Sequence, residues 1–150
     1  MPRLMDNEEV MTQTGPGAFQ YSGVRVEKLT GASEYTLVTL IIDKSGSVVN
    51  FERQILDMLK SVVTSCKRSD RAENLLVRII AFNDVPVELH GFRNLSDIDI
   101  ENDYKALHCG GNTALYDSSY DGIGATIDYA AKLVKDYEFD VNGIVFIATD

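Results

Sequence analysis

The run Leu37-Val-Thr-Leu-Ile-Ile42 flows directly into Asp43-Lys-Ser-Gly-Ser47, and this junction constrains the chain more than any other stretch. Five of its first six residues are apolar, with no polar alternation. That is how a central strand buried on both faces reads. The polar cluster then falls at the strand's carboxyl end, where open α/β sheets place their ligands. It offers one carboxylate and two hydroxyls at alternating positions, with Gly46 permitting a tight bend. These are hard oxygen donors suited to a small hard cation. The plainer alternative is a strand-to-helix turn in which Ser47 or Asn50 caps the next helix.

Two later stretches repeat the design. His108-Cys-Gly-Gly-Asn-Thr113 has a glycine pair followed by Thr113, a helix N-cap by type. Ile144-Val-Phe-Ile-Ala-Thr-Asp150 is a second apolar strand that ends in a carboxylate. Between these landmarks the elements read strand, helix, strand, antiparallel strand, helix, strand. An amphipathic helix spans about 50–67, with Phe51, Ile55, Leu59, Val62, Val63 and Cys66 on one face. Leu75–Phe82 is a strand. Pro86–Phe92 alternates after a turn at Asn83-Asp84 too short for a parallel return, so it is antiparallel. The helix after Thr113 carries Tyr116, Tyr120, Ile123, Ile127, Ala130, Val134 and Tyr137 at helical spacing. Gly122 and Gly124 within it cost about 1 kcal/mol each against Ala, which close packing on the sheet would explain.

The expected fold is therefore α/β: a doubly wound, mostly parallel sheet with one antiparallel edge strand and helices on both faces. Residues 35–150 form this domain. Residues 1–34 form an extension, polar to about Ala18 and then alternating around Ser22-Gly23 as a short hairpin or edge strand. Asp43 and Asp150 would face each other across the crevice between the first and last strands, with Thr113 delivered from the loop between.

Asp43-x-Ser45-x-Ser47, Gly-Gly-Asn-Thr113 and Ile-Ala-Thr-Asp150, in this order, resemble the three loops of the metal-ion-dependent adhesion site of von Willebrand factor A (integrin I-type) domains. The resemblance covers about 35–150. It implies Mg²⁺ or Mn²⁺ held by the hydroxyls of Ser45, Ser47 and Thr113, with Asp43 and Asp150 bound directly or through water. It further implies a protein-binding module that captures an Asp or Glu carboxylate of a partner. Cytoplasmic relatives work with AAA-type ATPases or in stress and phage-associated systems. Family domains continue past the third loop with a Gly-led loop, a helix and about two more strands, so the chain reads as a truncated form. Its last strand would then be left as an apolar edge able to recruit other chains.

Composition limits the other classes. A net charge of −9 and pI near 4.6 oppose binding to nucleic acid backbones or anionic membranes. No signal-peptide run or membrane-length apolar stretch occurs, and Cys66 and Cys109 read as reduced thiols, so a cytoplasmic setting is expected. An enzyme is not expected: there is no phosphate-binding Gly-Lys loop, nucleophile elbow or His-rich ligand set. His90 reads as a surface residue on an edge strand, His108 as loop packing and Cys109 as a small buried residue. The acidic run Asp97, Asp99, Glu101, Asp103 lacks the EF-hand order and reads as a solvated loop or short helical turn. The competing functions are a structural component whose metal only stiffens the loops and, further off, a metal-dependent hydrolase.

Overall fold

The computed structural model describes residues 10–14, 20–24, 29, 33–104, 109–112 and 114–149, without the side chains of residues 10–14 and Tyr137. Its strands are β1 (Val10–Thr14), β2 (Gln20–Val24), β3 (Glu34–Asp43), β4 (Leu75–Phe82), β5 (Pro86–Asn94) and β6 (Asp140–Ala148). The helices are α1 (Glu52–Arg68), the single turn α2 (Ile100–Asp103) and α3 (Leu115–Tyr137).

The described strands form one six-stranded mixed sheet in the order β1-β2-β5-β4-β3-β6. β3 pairs in parallel with β4 on one side and β6 on the other, β5 runs antiparallel to β4, β2 parallel to β5, and β1 antiparallel to β2. This corrects the expected doubly wound sheet. The antiparallel strand is internal, not an edge, because the β1–β2 hairpin extends the sheet beyond it. The physical reason lies in β2. Its Tyr21 and Val24 are buried and pack with Phe92 of β5 and Tyr129 of α3, so the early segment is core material. Ser22-Gly23 lies within β2, not at a hairpin turn, and β1 falls in the stretch that reads as the polar part of the extension.

β3 is buried on both faces, as its unbroken apolar run requires. Val38, Leu40 and Ile42 turn to Leu59 and Val63 of α1, together with Leu95, Ile98 and Tyr104. Leu37 packs with Ala125, Tyr129 and Leu133 of α3, and Ile41 faces the same side. α3 approaches closely because Gly122 has no side chain: a Cβ there would lie 2.4 Å from Ile41 Cδ1.

The α3 face turned to the sheet is Ser118, Gly122, Ala125, Thr126, Tyr129 and Leu133, all buried. The larger apolar stripe of Tyr116, Tyr120, Ile123, Ile127 and Val134 points to solvent. Phe51, placed by its spacing on the buried face of the first helix, is also exposed and precedes α1 in a 3-10 turn, Gly46–Phe51.

The β2–β5 junction depends on Gly91. A Cβ at this position would sit 2.0 Å from the backbone oxygen of Ser22, an atom that can move only if the strand moves. Gly91→Ala is expected to lift β2 from β5 and cost about 1–3 kcal/mol, as overpacking of a closed interior does. Urea unfolding gives the cost, and amide exchange at Tyr21–Val24 should rise more than in β3. Unchanged protection there would contradict this contact.

Candidate functional site

At the carboxyl ends of the parallel strands, the sheet register sets Asp43 beside Phe82, and Ile42 beside Ala148. The Asp43 side chain is fully buried, and its two oxygens serve different loops. Oδ1 accepts the Ser45 N–H at 2.8 Å, curling the loop back on the strand end. Oδ2 accepts the Thr149 hydroxyl at 2.7 Å, tying in the segment after β6. A buried carboxylate needs such donors to offset its lost hydration.

The first loop is then shaped by backbone bonds. Lys44 N–H donates to Phe82 O at 2.8 Å, and Val48 N–H to Ser45 O at 3.2 Å. The Ser45 and Ser47 hydroxyls lie 3.0 Å apart, Ser45 buried and Ser47 exposed. One hydroxyl is thus fixed while its neighbour faces outward.

The glycine-pair loop is clasped to this one by two main-chain bonds. Gly110 N–H donates to Lys44 O at 2.8 Å, and Gly46 N–H to Gly111 O at 2.9 Å. Gly111 has φ +78°, a left-handed conformation that favours glycine. The turn between β4 and β5 braces the loop from the other side. Asp84 Oδ1 accepts the Asn112 N–H at 2.7 Å, and Asn83 O accepts the Ala114 N–H at 2.6 Å.

Asp43, Ser45 and Ser47 are therefore brought together, at the sheet end where the sequence places them. Thr113 and Asp150 lie outside the described residues, as does His108. The residues flanking Thr113, Asn112 and Ala114, are both anchored to the β4–β5 turn. The sequence reading missed two contributors. Thr149 was visible only as the residue before Asp150, and its bond to Asp43 needs β6 alongside β3. The Asn83-Asp84 turn was read only as a connection.

The donors present suit a small hard cation. Two ligand oxygens about 3.0 Å apart span one edge of an octahedron whose metal–oxygen distance is about 2.1 Å, the value Mg²⁺ demands. No cluster of three or more His, Cys, Asp or Glu able to hold a metal occurs among the described residues, and only one carboxylate of the proposed set lies among them.

Cys109 borders the site. Burial, and then the nearby carboxylates of Glu52 and Asp43, push its thiol pKa up. It is held as the protonated thiol, the poor nucleophile of the pair. Cys66, on α1, is likewise raised by burial. His90 departs from its expected surface position. It is buried, with Nδ1 2.9 Å from Gly91 O and Nε2 2.5 Å from the Tyr104 hydroxyl. No described helix is long and apolar enough to cross a membrane.

The sheet and its strand-end loops define a mixed α/β domain with a hydroxyl–carboxylate cluster at one end. No protein-family model matches the chain, and no curated protein matches it. Among solved structures it is similar to the D319A mutant of the PilB minor pilin from Streptococcus sanguinis, with TM-score 0.50 and 20% identity. The match covers 70% of this chain and 29% of the pilin, so the chain spans under a third of that protein's length. At this identity the likeness concerns the fold alone. This likeness to a structure described as a minor pilin stands beside the mixed sheet, with its internal antiparallel strand, that corrects the expected doubly wound arrangement.

Proposed function

We propose that the chain is a metal-dependent protein-binding module with an adhesion site of the von Willebrand factor A kind. The observation that carries this reading is the joint placement of Asp43, Ser45 and Ser47, with Asp43 buried and the two hydroxyls 3.0 Å apart. Ser45, Ser47 and Thr113 would hold Mg²⁺ or Mn²⁺ through hydroxyls, and Asp43 and Asp150 directly or through water. The bound cation would supply an electrophilic position for a partner's Asp or Glu carboxylate, since neutral hydroxyl ligands leave its charge largely uncompensated. Asp43 orients the first loop through Ser45 N–H and holds Thr149 at the third. The loop clasp through Gly46 and Gly110 keeps the hydroxyls in place before any partner arrives. An acidic protein thus gains one point that attracts acidic ligands. The reading extends to a non-enzymatic role in a cytoplasmic multi-protein system.

A second reading is a structural subunit whose metal only stiffens the loops. The likeness to a solved structure described as a minor pilin favours keeping it.

Saturating Mg²⁺ or Mn²⁺ is expected to stabilise the chain by about 1–3 kcal/mol, as a ligand of the folded state alone does by mass action. Asp43→Ala and Ser45→Ala should remove most of that gain and leave a cooperative melt. Calorimetric titration and thermal unfolding with and without metal measure this, and a wild-type melt indifferent to both ions overturns the proposal. Partner capture abolished by EDTA and restored by Mg²⁺ supports the binding module; capture unchanged by EDTA supports the structural subunit.

A further inference from the structure

The inner face of α3 meets β3 in a ladder. Thr126 Oγ1 lies 2.6 Å from Thr39 Oγ1. Four residues earlier on the helix, a Cβ on Gly122 would lie 2.4 Å from Ile41 Cδ1. Each rung is four residues of helix and two of strand, about 6.0 Å against about 6.6 Å, so the rungs stay nearly level. The helix runs against the strand, and the next rung sets Ser118 opposite Asp43. The packing agrees with this placement. Leu115, on the first turn of α3, packs on the cluster of Ile41, Ile80 and Phe82, and Phe82 is the register neighbour of Asp43. Of that pair, Asp43 is the polar member.

Ser118 is 0% exposed, and its Oγ has no hydrogen-bond partner among the described residues. Its backbone is ordinary, the N–H donating to Ala114 O at 3.0 Å. Thr126, on the same face, shows how a buried helix hydroxyl is commonly settled. Its Oγ1 donates to Gly122 O one turn back at 2.7 Å and also meets Thr39. Ser118 has the same option in Ala114 O and does not take it. A buried hydroxyl in this condition weakens a fold, so packing alone does not account for serine here.

We propose that Ser118 is a positioning residue of the metal centre, its hydroxyl donating to the Asp43 carboxylate when that carboxylate engages Mg²⁺ or Mn²⁺. This rests on the adhesion-site reading above. Asp43 is 0% exposed, accepting the Ser45 N–H through Oδ1 and the Thr149 hydroxyl through Oδ2. Both donors belong to the segments that leave β3 and β6. A carboxylate drawn toward a cation shifts against such donors, and a buried oxygen that loses one needs another. Ser118 stands on the helix side of the same carboxylate, with a hydroxyl that no described acceptor holds. Rotation about χ1 alone redirects it. A hydrogen bond from behind fixes the direction of a metal-binding carboxylate and so raises its affinity.

Calorimetric titration of the 150-residue chain with MgCl₂ and MnCl₂ tests this, with urea unfolding in EDTA beside it. Ser118→Ala should weaken the binding of both ions about 10–100-fold, the usual effect of deleting the partner of a metal ligand. In EDTA the same variant should be at least as stable as the wild type, because the deleted hydroxyl makes no bond there. Ser118→Cys, close to serine in size but a weak donor, should match Ser118→Ala in affinity. A role in packing alone gives the reverse, stability lost in EDTA with affinity unchanged, and that result overturns the proposal. A wild type that binds, beside a Ser118→Ala variant that binds equally well, overturns the role of Ser118 and leaves the adhesion site standing. A wild type indifferent to both ions overturns the adhesion site and the role of Ser118 with it.

Discussion

An Arg78→Met variant should lose about 3–5 kcal/mol of stability, the usual cost of removing one partner from a buried ion cluster. Arg78 is 1% exposed at the centre of β4. Its Nε donates to Glu88 Oε2 at 2.9 Å and its Nη2 to Asp121 Oδ1 at 3.1 Å, joining β4, β5 and α3. Glu88 also accepts the Ser22 N–H at 3.1 Å and the Ser22 hydroxyl, which brings β2 into the network. The Tyr21 ring lies 5.8 Å from the guanidinium, while Arg78 Nη1 has no hydrogen-bond partner among the described residues. Methionine would fill much of the volume but leave two carboxylates facing apolar surroundings. The triple change Arg78→Met, Glu88→Leu, Asp121→Leu should therefore cost less than Arg78→Met alone, because no orphaned charge remains. Urea unfolding of both variants measures this. A triple variant less stable than the single one would show that the charges contribute net attraction beyond their desolvation.

Acid should destabilise the chain through His90. Burial lowers its pKa from 6.5 to about 4, partly offset by the Gly91 carbonyl and Asp103, and reinforced by Arg93 and Arg78. The unfolded chain takes up this proton near pH 6.5, and the folded one only near 4. The neutral imidazole's contribution is therefore complete above pH 6.5, declines as pH falls below it, and is fully lost below about pH 4. A displacement of this size corresponds to roughly 3 kcal/mol. Denaturant unfolding between pH 7.5 and 4 should show it, and His90→Gln should flatten the slope in that window. A variant with the wild-type slope would place the acid sensitivity elsewhere.

His90 also shows why a strand cannot be read by alternation alone. Strict alternation puts Glu88, His90 and Phe92 on one face. The β4–β5 register slips on both sides of the Ile79–His90 pair, and these irregularities turn His90 to the opposite face, onto Tyr104. Nothing in a single sequence marks where a bulge falls.

The sequence by itself determined the elements whose chemistry is local. The unbroken run before Asp43 could only be a strand covered on both faces, and the polar residues after it could only be its exit loop. The short turn at Asn83-Asp84 forced β5 antiparallel to β4. The tertiary structure decided what depends on distant partners. β2 joins the core because Phe92 and Tyr129 offer it an apolar seat, and so the expected edge strand became an internal one. α3 turns the face with Gly122 to the sheet, since a side chain there would collide with Ile41, and Ala125, Tyr129 and Leu133 are buried with it. A count of apolar positions favours the other face. Asp43 finds its second donor in Thr149, a residue 106 positions away, only when β6 lies beside β3. Periodicity records how much apolar surface an element carries; which surface is buried depends on shapes met across the fold.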